Sequence, residues 1–490
     1  MSARAHDVAV VGAGFSGLGA AIRLKAAGVE DFVVLERGAD VGGTWNANRY
    51  PGCRCDVPSN LYCYSFAPHP GWTRTFSSRE EIWAYLRDCV DRHGLRAHLR
   101  LACEVSELAW SERTRRWHLD TSDGPLAARV VIAAMGALSE PAIPALPGIE
   151  GFGGRIVHSA AWPDDVDLSG ARVAVLGTGA SAVQLIPEIQ PAVAELTVYQ
   201  RTAPWVLPHP DRPTSPLERA LYRRAPLAQR AVRGSVAAAR ETIVLGLRHP
   251  ALLRFGEQLG RRHLERQVGD PALRELLRPT YRLGCKRILI SNRYYPALGQ
   301  PNVTLVPYGV TALERDGVRA ADGVVRPADV VIAATGFHVT DSPVSRRIRG
   351  RDGRTLSEHW DGCPRALRGT TIAGFPNLFM LLGPHTGLGH TSVLLMIEAQ
   401  LGYILDALGA MAARGVEVVE PRAAAQDEWV AAVRRRARGT VWESGGCSSW
   451  YLDRGGHTVL WPDSSWRFRR ELARFDLAAY RARTYSSGTA

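Results

Sequence analysis

Two glycine-rich segments carry the most specific chemistry in the chain. Gly12, Gly14 and Gly17 form a G-x-G-x-x-G around Ser16, directly after the apolar run Val8–Val11. The first glycine permits a tight turn, the second lets backbone approach a pyrophosphate, and the third lets a helix pack closely. The helix start then offers unpaired N–H groups to phosphate. Glu36 follows Gly12 by 24 positions, at the end of the apolar run Phe32–Leu35. A carboxylate there accepts hydrogen bonds from ribose hydroxyls. The second segment, Gly177-Thr178-Gly179-Ala180-Ser181-Ala182, follows Arg172–Leu176, with Ala182 in the third glycine's place. At the same spacing of 24 positions, Arg201 and Thr202 follow the run Leu196–Tyr199. A guanidinium suits a 2′-phosphate where a carboxylate suits two free hydroxyls. The expected ligands are therefore FAD at the first segment and NADPH at the second.

The elements that must hold these segments repeat. Val130-Val-Ile-Ala-Ala-Met-Gly136 returns as Val330-Val-Ile-Ala-Ala-Thr-Gly336, which predicts two copies of one module, each closed by a buried parallel strand. The proline-rich Pro141–Pro147 marks a crossing between them. The predicted fold class is α/β, with two Rossmann-like dinucleotide-binding domains. Residues 1–140 and 340–490 form the FAD-binding domain and 141–339 the NADPH-binding domain. Residues 213–278, rich in Ala, Leu and Arg, are expected as a helical insertion with runs at Leu217–Val232 and Val236–Leu247. Its role is left open between a roof over a cavity, structural packing and a dimer surface. Ser78–His93 has helical spacing, and Trp110, Trp117 and Leu119 fall in a strand meander.

Gly42–Asp56 is too rich in Gly, Asn and Pro for regular structure and is expected to deliver aromatic and polar groups to a site. In a chain of 60 basic residues, lysine occurs only at Lys25 and Lys286. Keeping Lys286 beside Arg287 points to different tasks for the two cations. The turn Gly383–His390, which includes Leu388, can present its backbone and the following helix start to an electron-rich flavin edge. His385 and His390 are assigned structural roles in that loop.

Phe152, Gly154, His158, Trp162 and Pro163 fall in the order F-x-G-x-x-x-H-x-x-x-W-P. This resembles the fingerprint of the type I Baeyer–Villiger monooxygenases. Gly42, Gly43, Trp45, Tyr50, Pro51, Gly52 and Asp56 match that family's second signature, and Lys286-Arg287 before Tyr294-Tyr295 matches its Lys-Arg pair. The resemblance covers nearly the whole chain. It implies that Thr44, Trp45, Asp56 and Tyr62 line the flavin and that Arg54, Cys55 and Asp56 face the nicotinamide. It further implies that Lys286 holds the NADPH phosphate and that Arg287, oriented by Asp56, is catalytic. His158 would influence domain orientation from the linker. The implied reaction inserts one atom of O2 beside a ketone carbonyl through a flavin peroxide, giving an ester or lactone. The alternative is a flavin monooxygenase oxidising nitrogen or sulfur, disfavoured by Trp162-Pro163.

Composition agrees with a multidomain globular chain: 490 residues, 46% hydrophobic and 22% charged. The net charge of +12 is carried by arginine throughout, so a nucleic-acid partner is not expected. The basic run Arg434–Arg438 is expected as a solvated helix face. Eight cysteines show no metal or disulfide spacing, which disfavours a dithiol reductase and predicts reduced thiols. No signal peptide and no uninterrupted apolar stretch of bilayer-spanning length is present. The expectation is a cytoplasmic monomer or homodimer without stable membrane insertion, acting on a small-molecule ketone.

Overall fold

In the computed structural model, which describes residues 4–484, the described residues build two large sheets around repeated strand-turn-helix units, with three small sheets of two or three strands beside them. The nine-stranded first sheet is centred on Arg4–Val11, which runs parallel to Phe32–Leu35 on one side and Leu126–Ala133 on the other. The long strand Leu126–Ala133 is shared. Its first part pairs antiparallel with Arg116–Thr121, and its end pairs parallel with Phe375–Met380. The returning chain thereby completes the first sheet.

The second sheet has five parallel strands in the order Val303–Val306, Glu195–Tyr199, Arg172–Leu176, Val330–Ala333 and Arg155–His158. Its centre repeats the first sheet's arrangement atom for atom at the turn. A Cβ on Gly12 would lie 2.7 Å from the Ala134 carbonyl oxygen, and one on Gly177 would lie 2.7 Å from that of Ala334. Both glycines have φ near +105°, so no other residue fits without strain. The protein is thus an α/β fold with two Rossmann-like modules.

The two chain crossings lie side by side. Ala142 N–H donates to Gly336, His338 N–H to Glu140, and the Thr335 hydroxyl to Ala142. The fingerprint segment is not a free linker: Arg155–His158 is the edge strand of the second sheet. Gly154 is required there because a Cβ would lie 2.2 Å from the Asp329 carbonyl oxygen.

Helices Pro216–Arg224, Pro226–Glu241, Ile243–Arg248, Arg254–Gln267 and Pro271–Leu276 make up the insertion. The expected run Leu217–Val232 is broken before Pro226, whose ring cannot sit inside a helix. The run Val236–Leu247 is divided at Thr242, where the hydroxyl takes the Ala239 carbonyl. Among the described residues, Val393–Ala413 alone is long and apolar enough to cross a bilayer by length and composition. It packs against the helices Phe15–Ala26 and Ser465–Glu471 and buries Leu394, Ile397, Leu401 and Ile404.

Two sequence expectations are corrected. The basic run is not merely a solvated face: Arg434 pairs with Asp453 at 3.2 Å, and Arg436 pairs with Glu471 at 3.3 Å and covers the Trp461 ring. A disulfide joins Cys285 to Cys447, 162 residues apart. Spacing could not reveal it, because the fold alone brings the two segments together.

Candidate active site

The loop after Gly42 is pinned at both ends. Gly42 and Gly43 take φ of +127° and +52°, turning the chain into the short helix Thr44–Ala47. Trp45 is buried there and its indole N–H donates to the Tyr62 hydroxyl at 3.2 Å. Arg79, at the start of the helix Arg79–Arg92, donates to the Trp45 carbonyl at 2.9 Å, and Cys55 N–H donates to Ser77 at 3.0 Å. Asp56 follows directly and therefore has a fixed backbone.

Asp56 meets Arg287 across the cleft. The Arg287 Nε and Nη2 groups donate to the two carboxylate oxygens at 2.8 and 2.6 Å. Burial alone would raise the Asp56 carboxyl, but the Arg287 charge and hydrogen bonds outweigh it and hold it below its usual value. The Asp56 charge in turn raises Arg287. Burial pushes the Cys55 thiol well up, so it stands beside the pair as a neutral group. Tyr62 is raised by burial as well. The Arg54 side chain faces Asp211 at 3.9 Å.

Lys286 points elsewhere than its neighbour. Burial and the facing charge of Arg201 lower its ammonium pKa, and the Nζ lies over the Tyr281 ring at 5.1 Å. Two cations converging on one space are stabilised by an anion between them. Thr178 donates to the Thr202 carbonyl at 3.3 Å, closing the strand ends beside them.

Both glycine turns suit dinucleotides. The helices Phe15–Ala26 and Ala180–Ile189 start at Gly14 and Gly179 with no side-chain cap and no acid in the first turn. Their N–H groups are left for a phosphate. A Cβ on Gly17 would lie 1.7 Å from the Gly12 carbonyl oxygen, whereas one on Gly179 would meet nothing within 4 Å. Close packing demands the first glycine, and open space for a ligand surrounds the second. The Glu36 carboxylate accepts from Ala13 N–H at 2.7 Å and Gly38 N–H at 2.8 Å, keeping further lone pairs for ribose hydroxyls. Ser16 and Ala182 are buried in the packed starts of their helices, and Ala180 and Ser181 are half-buried. The residues present therefore fit FAD at the first turn and NADPH at the second.

His158 ends its edge strand, buried, with Nδ1 accepting from Ala160 N–H at 3.0 Å and the ring edge-on to Phe337. Burial lowers its pKa, so it is a neutral spacer where the chain crosses back. Phe152 and Trp162 pack against separate cores on either side of it, and Pro163 follows half-buried. Leu388 is half-buried and packs its side chain against the first core.

Sequence reasoning misses Gln184 and Arg240; it reads the aromatic-dense tail Trp442–Trp466 as contributing to a pocket wall and to packing, without singling out Tyr451. Gln184 receives the Tyr50 hydroxyl at 2.8 Å and donates to the Arg54 carbonyl at 3.0 Å. A lone amide in the apolar helix Ala180–Ile189 was a usable signal. Arg240 comes from the insertion and donates to the Asp56 carbonyl at 3.0 Å. Tyr451 is fully enclosed near Asp56 and Arg287. Only the fold brings these last two to the cleft.

Two dinucleotide-binding turns on two parallel sheets, and a carboxylate–guanidinium pair joining the loop of the first module to the second, are the features of a two-dinucleotide oxidoreductase. Accordingly, residues 9–219 match the family model described as pyridine nucleotide-disulphide oxidoreductase. A Baeyer–Villiger monooxygenase of Streptomyces coelicolor is 51% identical over 476 residues, covering 96% of this chain and 92% of that protein. The structure of cyclohexanone monooxygenase from Rhodococcus sp. Phi1 bound to NADP+ superposes with a TM-score of 0.87 at 28% identity, covering 99% of this chain and 100% of the other. OTEMO in complex with FAD and NADP gives 0.88 at 28% identity, covering 98% and 100%. The chain belongs to the Baeyer–Villiger monooxygenases.

Proposed function

We propose that this protein is an NADPH- and FAD-dependent Baeyer–Villiger monooxygenase converting a small-molecule ketone into an ester or lactone. Residues 1–140 and 340–490 are read as the FAD-binding unit and 141–339 as the NADPH-binding unit. When bound, NADPH supplies a hydride and reduced FAD supplies the electrons that activate O2. Every other role falls to the protein. Glu36 takes ribose hydroxyls, while Arg201 and Lys286 take the 2′-phosphate. Trp45 and Tyr62 form a wall that excludes water.

The observation that carries the reading is the paired geometry of Arg287 and Asp56. Baeyer–Villiger chemistry needs an oxygen nucleophile kept as an anion while it adds to the carbonyl carbon. A guanidinium stabilises that anion by hydrogen bonding without surrendering its proton, because it stays protonated at any working pH. Asp56 fixes the plane of the guanidinium and makes the arginine a still stronger base. One oxygen atom enters the bond between carbonyl and migrating carbon, and the other leaves as water.

All the named residues come from one chain, so a monomer or a homodimer satisfies the reading, in a cytoplasm that supplies NADPH. The test is NADPH consumption against cyclic, aryl and steroidal ketones and thioethers, with mass spectrometry of products. A gain of one oxygen to an ester or lactone is expected. Sulfoxides without any ester across the panel would overturn the reading in favour of heteroatom oxidation.

A further inference from the structure

The insertion grips the first module along one face of a single helix. On Pro226–Glu241, Gln229 donates to Asn60 Oδ1 at 3.0 Å and the His69 carbonyl at 2.7 Å. Arg233 donates to the carbonyls of Asn60, Leu61 and Cys63 at 3.2, 3.1 and 2.7 Å. Arg240 continues the same face and donates to the Asp56 carbonyl at 3.0 Å. The helix end is fastened beyond it. Glu241 is buried, accepts from the Ser465 hydroxyl and from Ser465 N–H at 3.1 Å, and lies 3.4 Å from His390 Nε2. Arg240 thus has little freedom to leave the cleft.

Charge explains why a second guanidinium belongs there. Asp56 and Arg287 form a bidentate pair, one charge against one, so together they are neutral. A neutral pair attracts an anion far less than a bare cation does. Arg240 makes the set of three positive. Its Nε is buried without a hydrogen-bond partner, and an unmade bond of that kind is costly unless an acceptor arrives with the ligands.

We propose that Arg240 is a positioning residue of the oxygenation site, holding Asp56 by its carbonyl and supplying the net positive charge that the Asp56–Arg287 pair lacks. The inference rests on the Baeyer–Villiger reading above. Productive turnover joins ketone, O2, NADPH and a proton to give ester, NADP+ and water. Where the anion is poorly held, NADPH, O2 and a proton give NADP+ and hydrogen peroxide instead. Arg240 acts on the partition between the two.

Arg240→Lys keeps a charge and a donor, whereas Arg240→Gln keeps a donor without charge. The measurements are the anaerobic rate at which NADPH bleaches the flavin, ester formed per NADPH, and peroxide released. The bleaching rate reports hydride delivery separately, so the partition of consumed NADPH between ester and peroxide is read independently of it. Ester per NADPH is expected to fall about tenfold in Arg240→Gln, with matching peroxide, and to be largely retained in Arg240→Lys. Arg240 faces Asp56, Cys55 and Arg287, and a lysine in its place loses its proton where a guanidinium does not, so coupling in Arg240→Lys is expected to fall ahead of wild type as pH rises toward the ordinary lysine value of about 10.4. Equal coupling in wild type and Arg240→Gln overturns the inference. Should Arg240→Gln fail to retain flavin, the Arg240→Lys profile decides alone, and coupling that follows wild type at every pH overturns it. A wild type that forms no ester from any ketone overturns the parent reading instead.

Discussion

Gln184, on the helix that opens from the second glycine turn, holds Arg54 by both its main-chain groups. The amide donates to the Arg54 carbonyl at 3.0 Å and accepts from its N–H at 3.3 Å, with the Tyr50 hydroxyl on the same oxygen at 2.8 Å. The second module therefore holds the loop through which the first delivers Asp56. Gln184→Leu keeps the volume but strands these partners, and is expected to cost about 2–3 kcal/mol. Urea unfolding and the KM for NADPH check it, and both should worsen together. An unchanged KM would mean that the contact is structural only.

Arg287→Ala removes the anion's donor and leaves Asp56 facing Arg240 alone. Flavin bleaching by NADPH should remain measurable, whereas ester formation should fall by at least about a hundredfold. Product assays beside anaerobic stopped-flow absorbance separate the two steps. Retained ester formation would assign the catalytic role to another arginine.

Arg201 and Lys286 share one space, where the charge of Arg201 helps to lower the lysine. Arg201→Gln is expected to raise the KM for NADPH about ten- to a hundredfold, the worth of one charge-assisted hydrogen bond. The KM for NADH, which has no 2′-phosphate, should hardly move. Parallel titrations with both coenzymes read the difference.

His385 is fully buried at φ +62°, and burial lowers its pKa from 6.5 to about 4. Between those values the unfolded chain binds a proton that the folded chain does not. Stability therefore falls as pH drops from 6.5 to 4, by up to about 3 kcal/mol, and is unaffected by this residue above 6.5. His385→Asn tolerates the left-handed backbone and does not titrate. Denaturant midpoints across that range should show a shallower slope in the variant, and parallel slopes would exclude His385 as the source.

The Cys285–Cys447 bond closes 162 residues of chain. Loop-closure entropy puts its contribution at roughly 4–5 kcal/mol. Cys447→Ser should lower the unfolding midpoint accordingly. Thiol titration of the denatured protein should count the six free cysteines without reductant and two more with it. Eight from the outset would mean that the bond is absent in solution.

Much of this is legible in the sequence. The glycine turns, Glu36 and Arg201 depend on local strand-turn-helix geometry, which spacing encodes, and the repeat at Val130 and Val330 announced two modules. Asp56 and Arg287 were named from signatures, and their hydrogen bonds are what the fold added. Arg240 escapes because nothing local distinguishes one arginine among so many, and only the fold singles out Tyr451 within the aromatic-dense tail Trp442–Trp466. Cys285 and Cys447 escaped for the same reason, since their proximity belongs to the tertiary path. The helix break at Pro226 is a different failure, since the proline signal is present and the apolar periodicity on either side obscures it, whereas nothing local marks the break at Thr242.

The paired crossings at Ala142 and Gly336 limit how the cleft can change shape. The rungs between Glu140–Ala142 and Thr335–His338 bind the two connections into one short strap. Sliding one module past the other would shear those bonds, whereas swinging it about the strap would leave them whole. The strap thus favours swinging over sliding, while the Gln184–Arg54 and Arg240–Asp56 contacts and the Cys285–Cys447 bond hold the modules together away from it.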